Sequence, residues 1–245
     1  MTSVLGMPLD AALKKLAESG ITDAAVKRCD APRARASRGT LRIVAEKDGG
    51  RALTVCLFPD DVTINAIYYL IGLVFLLALQ FRFFHDSYMV FTRNFRKALT
   101  TMLLGYAILL GLNVILNLVV GLFGTLPSSP NDEAVTELAH QDLRRIAASA
   151  VIMAPIVEEA LFRGMIFGSL RPKSRVAAYA VSMILFSLYH VWQYAVYAHS
   201  FTVLLSAVAY LPIAFVLAFC YDRSGSIWTP IFFHMFYNAL ALSLR

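Results

Sequence analysis

Long uninterrupted apolar runs dominate the chain after residue 60. Six are present, at about 63 to 82, 98 to 124, 145 to 170, 175 to 197, 201 to 221 and 225 to 244, each close to the roughly 20 residues that a membrane-spanning helix needs. In lipid every backbone N–H and C=O must bond inside the segment, so such runs predict helices and not open strands. The pattern over residues 61–244 is that of an all-α polytopic membrane protein, about six transmembrane helices in a bundle. Residues 1–60 alternate differently. Pro8 suits a first helical turn, Leu9, Leu13 and Leu16 share one face, and Gly20 can end the helix. The stretches TLRIVA and ALTVCLF then alternate around Asp48, Gly49 and Gly50, a hairpin signal. These residues predict a small α+β N-terminal appendage, and their start lacks the apolar core of a secretory signal peptide.

Composition agrees with the pattern. Of 245 residues 58% are hydrophobic and 16% charged, with mean hydropathy +0.64, more apolar surface than one soluble core needs. A net charge of +6 and a pI near 9.3 raise nucleic acid as a partner. The basic residues are spread over the appendage and the segments between runs, with no aromatic-studded basic face, so the lipid bilayer is the expected partner and no nucleic acid is. Arg82, Arg93, Arg96 and Lys97 fill the expected loop 82–97, and Arg171, Lys173 and Arg175 the loop 171–175. The loop 125–143 is acidic, with Asp132, Glu133, Glu137 and Asp142. The positive-inside rule places the basic loops, and with them 171–175 and 222–225, in the cytoplasm of a multi-pass cell-membrane protein. Six spans then put the amino terminus outside, against the ten Lys or Arg of the appendage. Three cysteines make no disulfide scaffold: Cys29 and Cys56 pair only if the appendage is extracytoplasmic, and Cys220 packs within a span.

The third run carries MAPIVEEALFRG, residues 153–164, although a single charge at a helix centre costs about 2.5–3.5 kcal/mol on insertion scales. Glu159 and Arg163, four apart with the acid first, lie on one helix face and can neutralise each other as a structural pair. Glu158 points about 100° away and needs a partner, a proton, a metal or water from elsewhere. The fourth run offers His190, with Phe186 one turn earlier as a packing residue. The sixth offers His234 and Asn238, stacked four apart. Counted from Arg171, Arg175 and Gly225 in the expected cytoplasmic loops, Glu158, His190 and His234 lie about 20, 22 and 13 Å along their helices, so tilt can bring them together. Pro155, one turn before Glu158, removes a helix hydrogen bond. Taken singly, each histidine is more often a buried, hydrogen-bonded core residue than a ligand, and Asn238 is able simply to bond a neighbouring helix. His85, His140 and His199 lie in or near expected loops and are read as bystanders, and Tyr189, Trp192 and Tyr237 as packing or pocket walls.

The motifs Glu158-Glu159-x-x-x-Arg163, Phe186-x-x-x-His190 and His234-x-x-x-Asn238, in that order on successive apolar runs, resemble the CPBP (CAAX protease and bacteriocin-processing, or Abi) family of intramembrane endopeptidases. The resemblance covers residues 145–244, the expected catalytic core, and leaves out the appendage and, on motif evidence, the first two runs. It implies hydrolysis of a peptide bond in a membrane-associated protein or peptide, of CAAX or leader-peptide type. Glu158 would be the general base, His190 would hold or activate the water, and His234 and Asn238 would donate to the developing oxyanion. Two routes stay open: a metal-free glutamate mechanism, or one zinc ion held by Glu158, His190 and His234 with an open position for water. The soluble zincin HExxH is absent. A non-catalytic scaffold on the same fold would have lost a motif residue, and none is missing. A proton-coupled transporter would show internal repeats, and the halves show none.

Overall fold

The computed structural model describes residues 4, 7–28, 39–59, 61–126, 129–197 and 201–244. The chain divides by contacts into two units, Met1–Asn65 and Ala66–Arg245, five residues beyond the boundary expected from the sequence.

In the first unit α1 (Leu9–Glu18) starts after Pro8 and stops before Gly20, whose φ of +83° is open to glycine at no steric cost. Three strands follow, β1 (Ala25–Arg28), β2 (Gly39–Lys47) and β3 (Ala52–Pro59), in the order β1-β3-β2. The hairpin read from alternation is β2–β3, antiparallel around a short turn at Asp48–Gly50, and β1 lies parallel to β3. Ala12 and Leu16 of α1 are buried with Val4, Ile43, Leu53 and Val55, and Leu9 and Leu13 pack at the edge. Gly50 takes a φ of +95°, which disfavours any residue with a Cβ, and a Cβ there would stand 2.6 Å from Leu16 Cδ2 and push that methyl aside. The expected Cys29–Cys56 pairing falls outside the described residues.

The second unit is helical. Helix α2 (Asp61–Arg93) leads through a one-residue break at Asn94 into α3 (Phe95–Phe123). The expected loop 82–97 is therefore mostly helix. No Gly or Pro interrupts residues 82–93, and Phe84 and Ser87 of this stretch are buried, with Phe84 packed beside Ile227 and Trp228, so packing extends the helix past its most apolar part. The acidic loop is also largely helix, α4 (Pro130–Ile146). Ser129 caps it by accepting from Asp132 N, Pro130 opens it, and Asp132 and Glu133 sit in its first turn, where the helix dipole favours them.

From Ala147 to Leu170 the chain stays helical but changes gauge. A π segment, Ala147–Met153, leads to α5 (Ala154–Glu159), a second π segment, Ala160–Phe167, and α6 (Gly168–Leu170). Next come α7 (Arg175–Tyr189), α8 (Trp192–Tyr197), a 3₁₀ segment Phe201–Tyr210, α9 (Leu211–Ser224) and α10 (Trp228–Ser243). By length and composition three helical stretches can cross a membrane, Ala66–Arg93, Phe95–Phe123 and Val203–Ser224, and Arg175–Tyr189 is a shorter apolar helix. The fold is thus mostly helical with a small sheet. The fourth and fifth runs are subdivided, since Phe201–Tyr210 winds as 3₁₀ and the fourth breaks at His190.

Helix α9 is the centre of this unit. Ile213, Ala214, Val216, Leu217 and Cys220 are buried on it with Leu109, Phe162, Phe186 and Phe233 of four neighbouring elements. Gly105 lets α3 approach α9 closely: a Cβ there would meet Val216 Cγ1 at 3.1 Å and Cys220 Sγ at 3.2 Å. At one end Asp222 receives Arg171 and Arg175, with Nε–Oδ distances of 2.6 and 2.8 Å, and the Tyr179 hydroxyl at 3.1 Å. Ser226 Oγ donates to Ser87 O at 2.7 Å, and Ile227 N to Ser87 Oγ at 2.7 Å. These bonds gather the 171–175 connection with the end of α9, and the end of α9 with the last turns of α2.

Candidate active site

Four chain segments converge on Glu158. Both glutamates end α5, between the two π segments, and both are buried at 5% and 0% exposure. Such wide turns recur at functional sites because they rotate side chains out of α register. Ser149 Oγ donates to Arg145 O and Ile146 O, and Pro155 supplies no N–H. A carbonyl at position 150 paired in π register looks to position 155, where proline has nothing to donate. Asn238 Nδ2 donates to Ala150 O instead, at 2.8 Å. The amide of Asn238 thereby ties α10 to the carbonyl that Pro155 leaves free, and it does not point at the glutamates through this hydrogen.

Glu159 and Arg163 meet as their spacing predicts, Arg163 Nη1 donating to Glu159 Oε1 at 3.0 Å with both side chains fully buried. Arg163 Nη2 donates to Ala214 O at 2.9 Å, and its guanidinium lies 4.4 Å from the centre of the Phe186 ring. The same Glu159 Oε1 also takes His234, with Nδ1 at 2.9 Å. The spacing could not show this bond, because the two residues lie 75 positions apart.

His190 is the residue at which α7 ends, not an interior residue of a long fourth helix. Its Nδ1 lies 2.8 Å from Phe186 O, a last-turn carbonyl, so the ring caps the helix it terminates. Phe186 packs against this ring at 4.6 Å between centres, and Tyr210, from the 3₁₀ segment, stacks on it at 4.6 Å and 26°.

These bonds fix both tautomers. A carbonyl and a carboxylate oxygen can only accept, so Nδ1 carries the hydrogen in His190 and in His234, and in the neutral rings each Nε2 presents a lone pair. Glu158 Oε2 faces the two lone pairs, 3.8 Å from His190 Nε2 and 4.0 Å from His234 Nε2. Three acceptors thus converge at distances too long for a direct hydrogen bond; the two hydrogens of one water satisfy two of them, and the third needs a proton of its own. The other oxygen, Oε1, accepts from Tyr69 Oη of α2 at 2.9 Å. No motif marks Tyr69. It is one aromatic residue in the first apolar run, 89 positions from its partner.

The structure therefore brings together Glu158, His190 and His234, with Glu159, Arg163 and Phe186 supporting them, and adds Tyr69 and Tyr210. It engages Asn238 with Ala150. The zinc set of Glu158, His190 and His234 does not fit as placed. Tetrahedral ligands held at about 2.1 Å lie about 3.4 Å apart, closer than the two pairs here. Among the described residues no group of three or more His, Cys, Asp or Glu is arranged to hold a metal ion. His85 is exposed beside Asp86, and His140 is exposed on α4. His199 lies outside the described residues.

Comparison with known proteins bears on the same residues. Residues 141–240, which carry all three motifs, match the family described as type II CAAX prenyl endopeptidase Rce1-like, and the resemblance to the CPBP family read from the motifs is thereby shown. The chain is 29% identical over 124 residues to "Putative membrane peptidase YdiL" of Bacillus subtilis (strain 168), a match covering 50% of this chain and 46% of that protein. The chain thus spans about half the length of the curated relative it matches. No solved structure matches it.

Proposed function

We propose that this protein is an intramembrane endopeptidase that cleaves a peptide bond in a membrane-associated protein or peptide, as in CAAX or leader-peptide processing. The observation that carries this reading is the convergence of Glu158 Oε2 with two imidazole Nε2 atoms, at 3.8 and 4.0 Å, in a buried site. A water there gives hydrogen bonds to acceptors and turns a lone pair outward. Glu158 takes its proton as the hydroxyl attacks the carbonyl carbon, and His190 Nε2 holds the second hydrogen. Glu158 hands the proton on to the leaving amine. His234, neutral, has no Nε2 hydrogen to give. With a proton taken up from solvent before the attack, it donates from Nε2 to the oxyanion and keeps that proton, with Glu159 bonded to Nδ1 stabilising the imidazolium, as the carboxylate does in a Ser-His-Asp triad. The oxyanion role of Asn238 rests on the resemblance alone.

The six apolar runs support six crossings in a cell membrane, with the 171–175 and 222–225 connections on the cytoplasmic side. The matched family and the named relative favour catalysis over a non-catalytic scaffold or a transporter.

The test compares membrane polypeptides from cells making wild-type protein with those making Glu158→Gln, which keeps the side chain's shape but cannot take the proton. New peptide termini are expected with wild type and absent with Glu158→Gln, and nearly absent with His190→Ala. Equal sets of termini from wild type and Glu158→Gln would sink the reading. Chelation of purified protein followed by zinc re-addition separates the routes. The metal-free mechanism predicts unchanged cleavage, and loss with recovery assigns the site to a metal.

A further inference from the structure

We infer that Tyr69 is a positioning residue for Glu158, so that α2, outside the residues matched to the family, completes the active site; this rests on the endopeptidase reading above. The terminal torsion of a glutamate is broad and roughly two-fold. Unheld, the Glu158 carboxylate is free to swing through orientations in which neither oxygen faces the two histidine nitrogens. The Tyr69 hydroxyl donates to Oε1 at 2.9 Å, and among the described residues it is the one hydrogen bond Glu158 makes. A donor to a charged oxygen gives a stronger and more directional bond than a neutral pair does.

The backbone is arranged for this contact. One turn beyond Tyr69, Gly72 faces Val157, the neighbour of Glu158, and a Cβ there would meet both Val157 methyls at 3.5 Å. Helix α2 therefore passes close to α5 at the level of the base. Tyr68, by contrast, is 57% exposed and its hydroxyl lies 3.5 Å from that of Tyr189; among the described residues it makes no hydrogen bond to either glutamate.

The experiment compares full-length wild type, Tyr69→Phe, Tyr68→Phe and Glu158→Gln, each normalised to folded protein. Two quantities are read: the rate at which new termini appear in membrane polypeptides after induction, and the Glu158 carboxylate band. The band is identified by infrared difference between isotope-labelled wild type and Glu158→Gln. Tyr69→Phe removes one hydroxyl and is expected to slow cleavage about 10- to 100-fold, the scale of a misplaced reacting group, and to move the band. Tyr68→Phe should change neither. A purely structural role for Tyr69 would lower folded yield without moving the band. An unmoved band in Tyr69→Phe overturns the inference whatever the rate, and so does a moved band with a rate within about twofold of wild type. If Glu158→Gln still cleaves, the endopeptidase reading fails and takes this inference with it. If Glu158→Gln is inactive and Tyr69→Phe behaves as wild type, the assignment of Tyr69 alone fails.

Discussion

Glu159 Oε1 is held twice, by Arg163 and by His234, and Arg163 is held three ways, by Glu159, by the Ala214 carbonyl and by the face of Phe186. Removing one partner of a buried ion pair costs on the order of 3–5 kcal/mol because the other charge stays buried. Arg163→Ala should therefore lower folded yield and thermal midpoint as well as cleavage. Arg163→Lys, which keeps the charge but loses the planar fork and its stacking, should fall between. An Arg163→Ala protein as stable as wild type would count against the pair. At this scale the sequence was informative where partners are four residues apart, since helix geometry alone joins Glu159 to Arg163. It was silent where partners come from different helices. His234 reaches Glu159 and Tyr69 reaches Glu158 across 75 and 89 positions, and no local period encodes such contacts.

Pro155 and Asn238 both bear on the Ala150 carbonyl although they lie far apart in the sequence. Asn238 replaces a hydrogen bond that proline cannot make, so Asn238→Ala leaves a half-buried carbonyl bare, a loss of about 1 kcal/mol, the low end for an unsatisfied acceptor. Pro155→Ala restores the backbone N–H, so in the double variant the thermal midpoint should return part of the way to wild type. Simple addition of two losses in the double variant would refute the coupling. The apolar runs announced helices, but their gauge was not legible: hydropathy records which residues suit lipid and says nothing of α, π or 3₁₀ turns. The break at His190 was hidden for a related reason, since it contains neither Gly nor Pro and is made by the ring bonding its own last-turn carbonyl. Residues 82–93 misled in the opposite direction, their charges suggesting a loop where burial of Phe84 and Ser87 continues α2.

Asp222 with Arg171 and Arg175, and Ser226 with Ser87, draw the ends of several helices to one side of the second unit. Six crossings then require Asn94 and Lys173 to face one compartment and Gly124 the other. With native cysteines replaced by alanine, a membrane-impermeant maleimide should label Asn94→Cys and Lys173→Cys from the cytoplasmic face and Gly124→Cys from the opposite face. Labelling of Asn94→Cys and Lys173→Cys from opposite faces would refute the crossing count. The same contacts bear on how the chain is made. Synthesis runs from the amino terminus, and each charged group needs a partner when its helix enters lipid. Glu159 finds Arg163 within its own helix, and Glu158 finds Tyr69 in a helix already made, whereas His190 and His234 arrive later. The glutamates can thus be sheltered in order of synthesis, and the two histidines close over acids that are already accommodated, so the site becomes competent to bind water only when the last helix is in place.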